Sequence, residues 1–424
     1  MAAAVDIILG VFFGAIFLTS TVLTVLLLAR QLFLTIFVRY TSRRNPYRNL
    51  RLQDWPLVTI LIPAHNEELV LAGCLASMAA LDYPAERLEI IVINDRSRDR
   101  TGAIADSYAE RYPQIRAHHR AQDAMPGKPA AIKEVIETLA SEVIVFFDAD
   151  YLPAPGLLKE LVAPFIDPEV GATMGRVVPY NTNANMLTKL IDLERRAGYG
   201  VDQFGRSLLS LLPQFGGTVG GIRLAALRAV GGWRSDVLAE DTDLTYRLFV
   251  AGWSVEYLNH AVCYEESPED WGVRFRQVRR WAFGHNQCFY RYFLPVLRAR
   301  NHSLVKRLDA AAVLLFYFHP IVSFFCLYSA LVYPLLYSYP PLNLTVVPAL
   351  ALFVAFGNFA PYFQVIVAAQ KDRQISSIRL LPLIFVSSTV SMLASVSAFW
   401  SAVSHAIRMT SFQWDKTTRF RSNA

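Results

Sequence analysis

Cysteine is scarce. Four occur in 424 residues, Cys74, Cys263, Cys288 and Cys326, and no two are spaced as a CxxC pair. Neither a zinc site built on such pairs nor a disulfide framework is expected, and isolated thiols of this kind are expected to be buried and reduced. Charge is also scarce, at 18% of residues, and from Ile7 to Leu28 there is none. Apolar side chains take its place and make up 54% of the chain, high for a soluble protein of this length.

The apolar residues are unevenly spread. Residues 50–300 read as an ordinary globular stretch, dense in charge and broken by Gly and Pro, whereas both ends carry long apolar runs. Ile7–Leu28 is long enough to cross a bilayer, and the run resumes at Leu32–Val38. It is too long for a cleaved signal peptide, and no basic residue precedes it. Arg39, Arg43, Arg44 and Arg48 follow it, within a net charge of +6. That placement suits lipid headgroups and a cytoplasmic flank, not a nucleic-acid groove.

Three further apolar stretches lie at about 310–338, 344–370 and 380–407. Tyr339-Pro-Pro341 turns between the first two, and Lys371, Asp372, Arg373 and Arg379 turn between the last two. Three crossings from a cytoplasmic domain leave the basic tail outside, against the charge rule. Either one stretch is interfacial or re-entrant, or the tail breaks the rule. Residues 283–302 mix aromatics, Leu and Arg, which fits a helix lying in the interface or one packed on the soluble domain. The expected division is 1–49, membrane segment and basic linker; 50–282, globular domain; 283–309, interfacial helices; 310–407, membrane segments; and 408–424, basic tail. The whole is expected to be a multi-pass protein of the plasma (inner) membrane.

Within the globular part, Leu57–Ile62, Leu88–Asn94 and Val143–Phe147 are short β-branched or apolar runs, predicted as buried strands. Helical spacing covers Glu67–Ala80, a stretch ending near Arg111, Lys128–Leu139 and Leu244–Val250. Strands alternating with helices predict a parallel, doubly wound sheet with its ligand beyond the carboxyl ends of the strands. Asn66, Glu67, Asp95, Asp148 and Asp150 fall there.

Asp148-Ala-Asp150 leaves a buried strand, and two carboxylates two residues apart can share Mg²⁺ or Mn²⁺ with a diphosphate. Asp95 can accept from a base or ribose, or simply form a turn. Lys128 can offset diphosphate charge, or sit solvated at a helix start. Glu240-Asp241 precedes a helix. Asp241 reads as a general base or as an N-cap. Gln277, Arg280 and Trp281 share one helical face, and amide, guanidinium and indole together can hold a diphosphate and offer a flat surface to a sugar.

Taken in order, Pro63-Ala-His-Asn-Glu67, Asp95, Gly127-Lys128, Asp148-Ala-Asp150, Gly216-Gly-Thr218, Glu240-Asp241 and Gln277-Val-Arg-Arg-Trp281 resemble the family 2 glycosyltransferases. The likeness extends in particular to the membrane synthases of hyaluronan, cellulose, chitin oligosaccharides and poly-N-acetylglucosamine, and covers roughly residues 55–285. The resemblance implies a GT-A fold, an α/β domain on a Rossmann-like mixed sheet flanked by transmembrane helices, and inverting hexosyl transfer from a nucleotide-sugar. Asn66, Glu67, Asp95, Lys128 and Asp148 would then contact the donor, and Asp150 with Asp148 the metal. Asp241, beside Glu240, would be the base. Gln277, Arg280, Trp281, Gly217 and Thr218 would hold diphosphate and acceptor. Two positions depart from the family pattern. The usual TED is Ala239-Glu-Asp, which loses a hydroxyl, and the usual DDGS-like turn is Asp95-Arg-Ser, which loses a second acid. Phe412–Thr417 is similar to a cytoplasmic gating segment of some synthases.

Three functions fit: a processive synthase extruding a carbohydrate, a lipid glycosyltransferase adding one sugar, and a non-catalytic nucleotide-sugar sensor. The partners expected are a nucleotide-sugar (UDP-sugar first), a carbohydrate or glycolipid acceptor and the lipid bilayer, with no nucleic acid.

Overall fold

The computed structural model describes residues 2–42, 45–48, 50, 52–324 and 359–408. The expected spans over 325–358, the Tyr339-Pro-Pro341 turn, Cys326 and the segment Phe412–Thr417 lie outside the described residues.

Eight strands form one sheet among the described residues, in the order β3-β2-β1-β4-β7-β6-β8-β5. They are β1 Val58–Ala64, β2 Leu88–Asn94, β3 Ile115–His119, β4 Val143–Phe146, β5 Leu152–Pro153, β6 Val170–Pro179, β7 Gly220–Arg223 and β8 Ser254–Glu265. The central strands β1, β2 and β4 are apolar at nearly every position because each faces a core on both sides. Val58, Ile60 and Ile62 join Leu71, Leu75 and Leu158 on one face. Leu61, Ile91, Ile144 and Phe146 join Ile132, Leu244 and Phe249 on the other. Alternation of side chains along a strand makes a continuous apolar run the signature of such a two-faced sheet.

The parallel reading needs correction at two short strands. β1, β2, β3 and β4 are parallel, and β6 is parallel to β8, but β7 runs antiparallel to β4 and β6, and β5 antiparallel to β8. The reversal has a positional consequence. Site residues on parallel strands follow the strand, whereas those on β7 precede it, so Gly216-Gly-Thr218 reaches the same edge from the opposite direction. β5 leads away from Asp150 and pairs Leu152 and Pro153 with Tyr264 and Cys263, which sets the end of β8 beside Asp150.

Two helices complete the site. Glu240–Ala251 has Ala239 as its N-cap residue, with no side-chain cap, and ends at Gly252 in the left-handed region. Asp241 therefore lies inside the first turn and is not the cap. Trp271–Arg298 is one helix capped by Asp270, whose carboxylate accepts from Val273 N at 3.0 Å. It runs straight through the expected boundary at 282/283. Cys288, Tyr292 and Val296 join the core while Tyr290 and Leu294 stay exposed, so this stretch packs on the globular domain along one face.

Two helices among the described residues have segments long and apolar enough to cross a membrane, Leu18–Tyr40 and Ile375–Ala402. The first belongs to a continuous helix, Ala2–Tyr40, and the second contains most of Leu381–Arg408. The charged turn between Phe359–Lys371 and Leu381–Arg408 docks on the globular domain, where Asp372 accepts from Arg176 and, at 2.7 Å, from Arg196.

The two site helices are joined through Asp243, which is fully buried. It accepts from Arg247 Nε at 2.7 Å and from the Tyr292 hydroxyl at 2.6 Å. Removing one member of a buried ion pair strands the other, so Asp243→Ala is expected to cost ~3–5 kcal/mol. Thermal unfolding checks this, and the double variant Asp243→Leu/Arg247→Met, which removes both charges, is expected to lose less than the single one.

Candidate active site

A cavity of about 2150 Å³ opens at the carboxyl edge of the sheet. All the candidate residues line it: Asn66, Glu67, Asp95, Lys128, Asp148, Asp150, Gly217, Thr218, Glu240, Asp241, Gln277, Arg280 and Trp281. The register explains the convergence: Ala64 pairs with Asn94, so β1 and β2 end at one level, and β4 ends at Phe146 opposite Leu61, which leaves Asp148 two residues on to reach the same edge.

Asp95 is more than a turn former. It is buried, and its Oδ1 accepts from Arg96 Nε at 2.9 Å and Arg120 Nη1 at 2.6 Å, its Oδ2 from Gly127 N at 3.0 Å. Burial alone would raise its carboxyl, but these hydrogen bonds and the Arg120 charge outweigh it and hold Asp95 below the ordinary carboxylate value. Asn66 sits at φ 54° and braces the same loop, accepting from Arg98 N at 2.8 Å and donating its own N–H to Ser97 Oγ. Glu67 N donates to Thr101 Oγ1 at 2.7 Å.

Lys128 connects the two halves of the site. Its Nζ donates to Asp148 Oδ1 at 2.6 Å and to the Gly217 carbonyl at 3.2 Å. Burial would lower its ammonium, yet Asp148, Glu240 and Asp241 raise it above the ordinary lysine value. Thr218 Oγ1 accepts from Asp148 N at 3.3 Å. Gly217 has φ +70°, and a Cβ there would lie 3.1 Å from Asp241 Cβ, so glycine lets the loop approach the helix carrying Asp241.

Glu240 and Asp241 are half-buried in the wall. Burial raises both, the neighbouring Asp241 charge raises Glu240 further, and Lys128 and Arg280 oppose the shift; Glu240 is pushed up to about 7. Asp241 Oδ1 accepts from Thr242 N at 2.6 Å, and Thr242 Oγ1 in turn accepts from Gln214 Nε2 at 2.7 Å and lies 3.4 Å from His285 Nε2. Burial depresses the His285 imidazole to about 4, so it stays neutral.

Asp150 is buried, its Oδ2 accepting from Glu266 N at 3.4 Å. Among the described residues no three His, Cys, Asp or Glu side chains cluster as a metal cage. The donor set still fits Mg²⁺ or Mn²⁺ in another way, because hard cations of this kind bind through one or two carboxylates plus substrate phosphates. Asp148 and Asp150 are the residues that would supply that pair.

Residues 56–284 match the family described as Glycosyltransferase like family 2. This chain belongs to that family. The probable glycosyltransferase YdaM of Bacillus subtilis is 33% identical over 268 residues, 62% of this chain and 64% of that protein. The beta-monoglucosyldiacylglycerol synthase of Trichormus variabilis is 30% identical over 259 residues, 61% of this chain and 55% of that protein. The chain thus matches between half and two thirds of the length of these curated relatives. The mannosyltransferase PcManGT from Pyrobaculum calidifontis, solved with GDP-Man and Mn2+, shares the fold at a TM-score of 0.59 and 20% identity, over 83% of this chain and 98% of that one. The glycosyltransferase domain is accordingly a GT-A-like mixed α/β domain.

Several residues of its wall escaped sequence reasoning. Arg195 pairs with Glu265 at 2.7 Å and lies 5.6 Å from the Trp281 ring centroid, with Arg274 at 5.4 Å. Gln277 accepts from Arg274 Nη1 at 3.0 Å. Two guanidiniums thus lie against the indole expected to face a sugar. Glu265 ends β8, which mixes Ser254, Glu256, Asn259 and His260 among its apolar residues and so lacks the continuous apolar run that marked Asp95 and Asp148. His285 had no signal.

The raised carboxyls carry a linkage consequence. Between the ordinary Glu value of 4.5 and about 7 the native state holds more protons than the unfolded chain, so the stability contributed by Glu240 falls as pH rises through that window. Glu240→Gln is expected to flatten this dependence, as thermal unfolding of both proteins at pH 5 and pH 8 would read.

Proposed function

We propose that the protein is an inverting glycosyltransferase that moves one sugar from a nucleotide-sugar, a UDP-sugar first, to a lipid acceptor at a bilayer. The observation that carries this is the short chain of contacts from Asp241 through Gly217 and Lys128 to Asp148. It brings a carboxylate of raised proton affinity within one cavity of a cation and a strand-end carboxylate pair.

In this reading the nucleotide lies over Asn66, Glu67 and Asp95, with its diphosphate toward Lys128, Gln277 and Arg280. Asp241 takes the proton from the acceptor hydroxyl as that oxygen bonds to the anomeric carbon. The bond from that carbon to the diphosphate oxygen breaks on the opposite face, its electron pair leaves with the nucleoside diphosphate, and configuration inverts. A Mg²⁺ or Mn²⁺ held by Asp150 and Asp148 would stabilise the charge developing on the departing diphosphate. Glu240, Lys128 and Arg280 set the field in which Asp241 ionises, and His285 and Gln214 fix Thr242 against it. The GDP-Man and Mn2+ of the Pyrobaculum enzyme support a nucleotide-sugar and a divalent ion in a fold of this kind.

The lipid acceptor is supported by the shape of the cavity, which continues from the carboxylates to Thr24 on the N-terminal helix and Ser391 on Leu381–Arg408. The Trichormus relative, named for a glucosylated diacylglycerol, points the same way.

Asp241→Asn is expected to lower transfer by at least ~10²-fold with nucleotide affinity retained; normal turnover would remove Asp241 from the role of base. Asp150→Ala is expected to abolish the metal dependence of donor binding. Activity of the unaltered protein is expected to fall on acidification below about 7, where the Glu240–Asp241 pair takes up protons. A donor screen in lipid vesicles, sizing the labelled product, tests the whole. One sugar extracted with lipid supports the proposal, a long polydisperse carbohydrate replaces it with a processive synthase, and nucleotide binding without transfer replaces it with a sensor.

A further inference from the structure

The wall of the cavity beyond Trp281 is rich in guanidinium groups, and each already has a carboxylate partner. Arg30, on the N-terminal helix, gives Nε to Asp309 at 2.6 Å and Nη1 to Asp202 at 2.9 Å. Arg206 gives Nη2 to Asp202 at 2.6 Å. Arg195 pairs with Glu265 at 2.7 Å and Arg274 with Glu194 at 2.7 Å. Four guanidiniums thus stand against four carboxylates. Between these pairs the described lining is uncharged, partly apolar at Leu27, Phe316, Ile384 and Met392, and elsewhere able both to donate and to accept. Thr24 Oγ1 lies 2.7 Å from His319 Nε2, Gln31 Nε2 donates to Gln364 Oε1 at 2.5 Å, and Ser388 and Ser391 line the same cavity.

This balance selects an acceptor. Among the described residues, a phosphate headgroup entering here would leave water to meet only guanidiniums that already face carboxylates, and would bring negative charge up to Asp202, Glu194 and Glu265. Like charges so placed are a strong means of rejecting a ligand. The hydroxyls of a glycerol or a sugar both donate and accept, and they meet hydroxyl and amide groups of the same kind without adding charge. We infer that the acceptor headgroup is an uncharged polyol, such as that of diacylglycerol or a glycosylated diacylglycerol, and that phosphate-bearing lipids are refused. This rests on the glycosyl transfer proposed above and narrows its acceptor.

The test uses the full-length protein in phosphatidylcholine vesicles with labelled UDP-glucose, UDP-N-acetylglucosamine or GDP-mannose. Diacylglycerol, monoglucosyldiacylglycerol, phosphatidylglycerol and a polyprenyl phosphate are supplied at equal mole fraction. Phosphatidylglycerol is the critical comparison, because it offers the same glycerol hydroxyls beside a phosphate. Transfer to the two uncharged acceptors is expected to exceed transfer to both phosphate-bearing ones by at least about tenfold. Equal or greater labelling of phosphatidylglycerol or of the polyprenyl phosphate would overturn the inference while leaving glycosyl transfer standing. Label found only in a water-soluble glycan would do the same. No label in any product, with nucleotide still bound, would remove the transferase reading and this inference with it. Asp202→Asn uncovers charge on Arg30 and Arg206, and is expected to move the ratio severalfold toward phosphatidylglycerol; an unchanged ratio in a folded variant also counts against the inference.

Discussion

The site depends first on Lys128. Three carboxylates, Asp148, Glu240 and Asp241, raise its ammonium, and that charge in turn opposes the upward shift of the acidic pair. Without a cation between them, such carboxylates at close range could not all stay ionised in a half-buried wall. Lys128 also ties parts that arrive from different directions in the chain. Asp148 follows parallel strand β4, Gly217 precedes antiparallel strand β7, and one ammonium holds both. The reversal of β7 is therefore a requirement of the site: a parallel strand in its place would present its first residues at the opposite edge of the sheet.

Much of this was legible because buried parallel strands write themselves plainly. Val58–Ala64, Leu88–Asn94 and Val143–Phe146 are apolar at nearly every position, and a polar residue directly after such a run marks the carboxyl edge. β5 and β7 hid because they have two and four residues, Leu-Pro and Gly-Gly-Ile-Arg, with no pattern to distinguish them from a loop. Asp241 illustrates a different limit. An acidic residue at the start of a helix looks the same whether it caps the helix or faces a cavity, and only the N-cap position of Ala239 separates the two. Trp281 shows a third. Helical spacing placed Gln277, Arg280 and Trp281 together, but Arg195 comes from a helix some eighty positions earlier and has no sequence relation to the indole it lies against.

The apolar helices are fixed to the catalytic domain by charge as well as by packing. Arg30 reaches Asp202 in the π-helical turn Gly198–Gln203, whose wider spacing carries Tyr199, Asp202 and Gln203 into the cavity wall. Asp372 holds Arg176 on β6 and Arg196 on the helix Met186–Ala197. The next residues inward, Glu194 and Arg195, are those that meet Arg274 and Trp281. One helix therefore touches the turn between the apolar helices at one point and the helix carrying Gln277 and Arg280 at another.

Replacing buried ion pairs by apolar side chains is often neutral or stabilising, so stability alone does not explain why these contacts are charged. Their position does. The pairs of Arg30 and of Asp372 lie where an apolar helix or its turn meets the globular domain, and those of Arg195, Arg206 and Arg274 lie within that domain. In the proposed transferase an unpaired guanidinium at any of them would compete with Lys128 and Arg280 for the diphosphate. In the proposed reading, committing Arg30, Arg206, Arg195 and Arg274 to carboxylates concentrates positive potential at the donor end of the cavity and leaves an uncharged described lining, partly apolar and partly hydrogen-bonding, at the other. In that reading a single continuous cavity holds two chemically different substrates in a fixed order, with Asp241 between them.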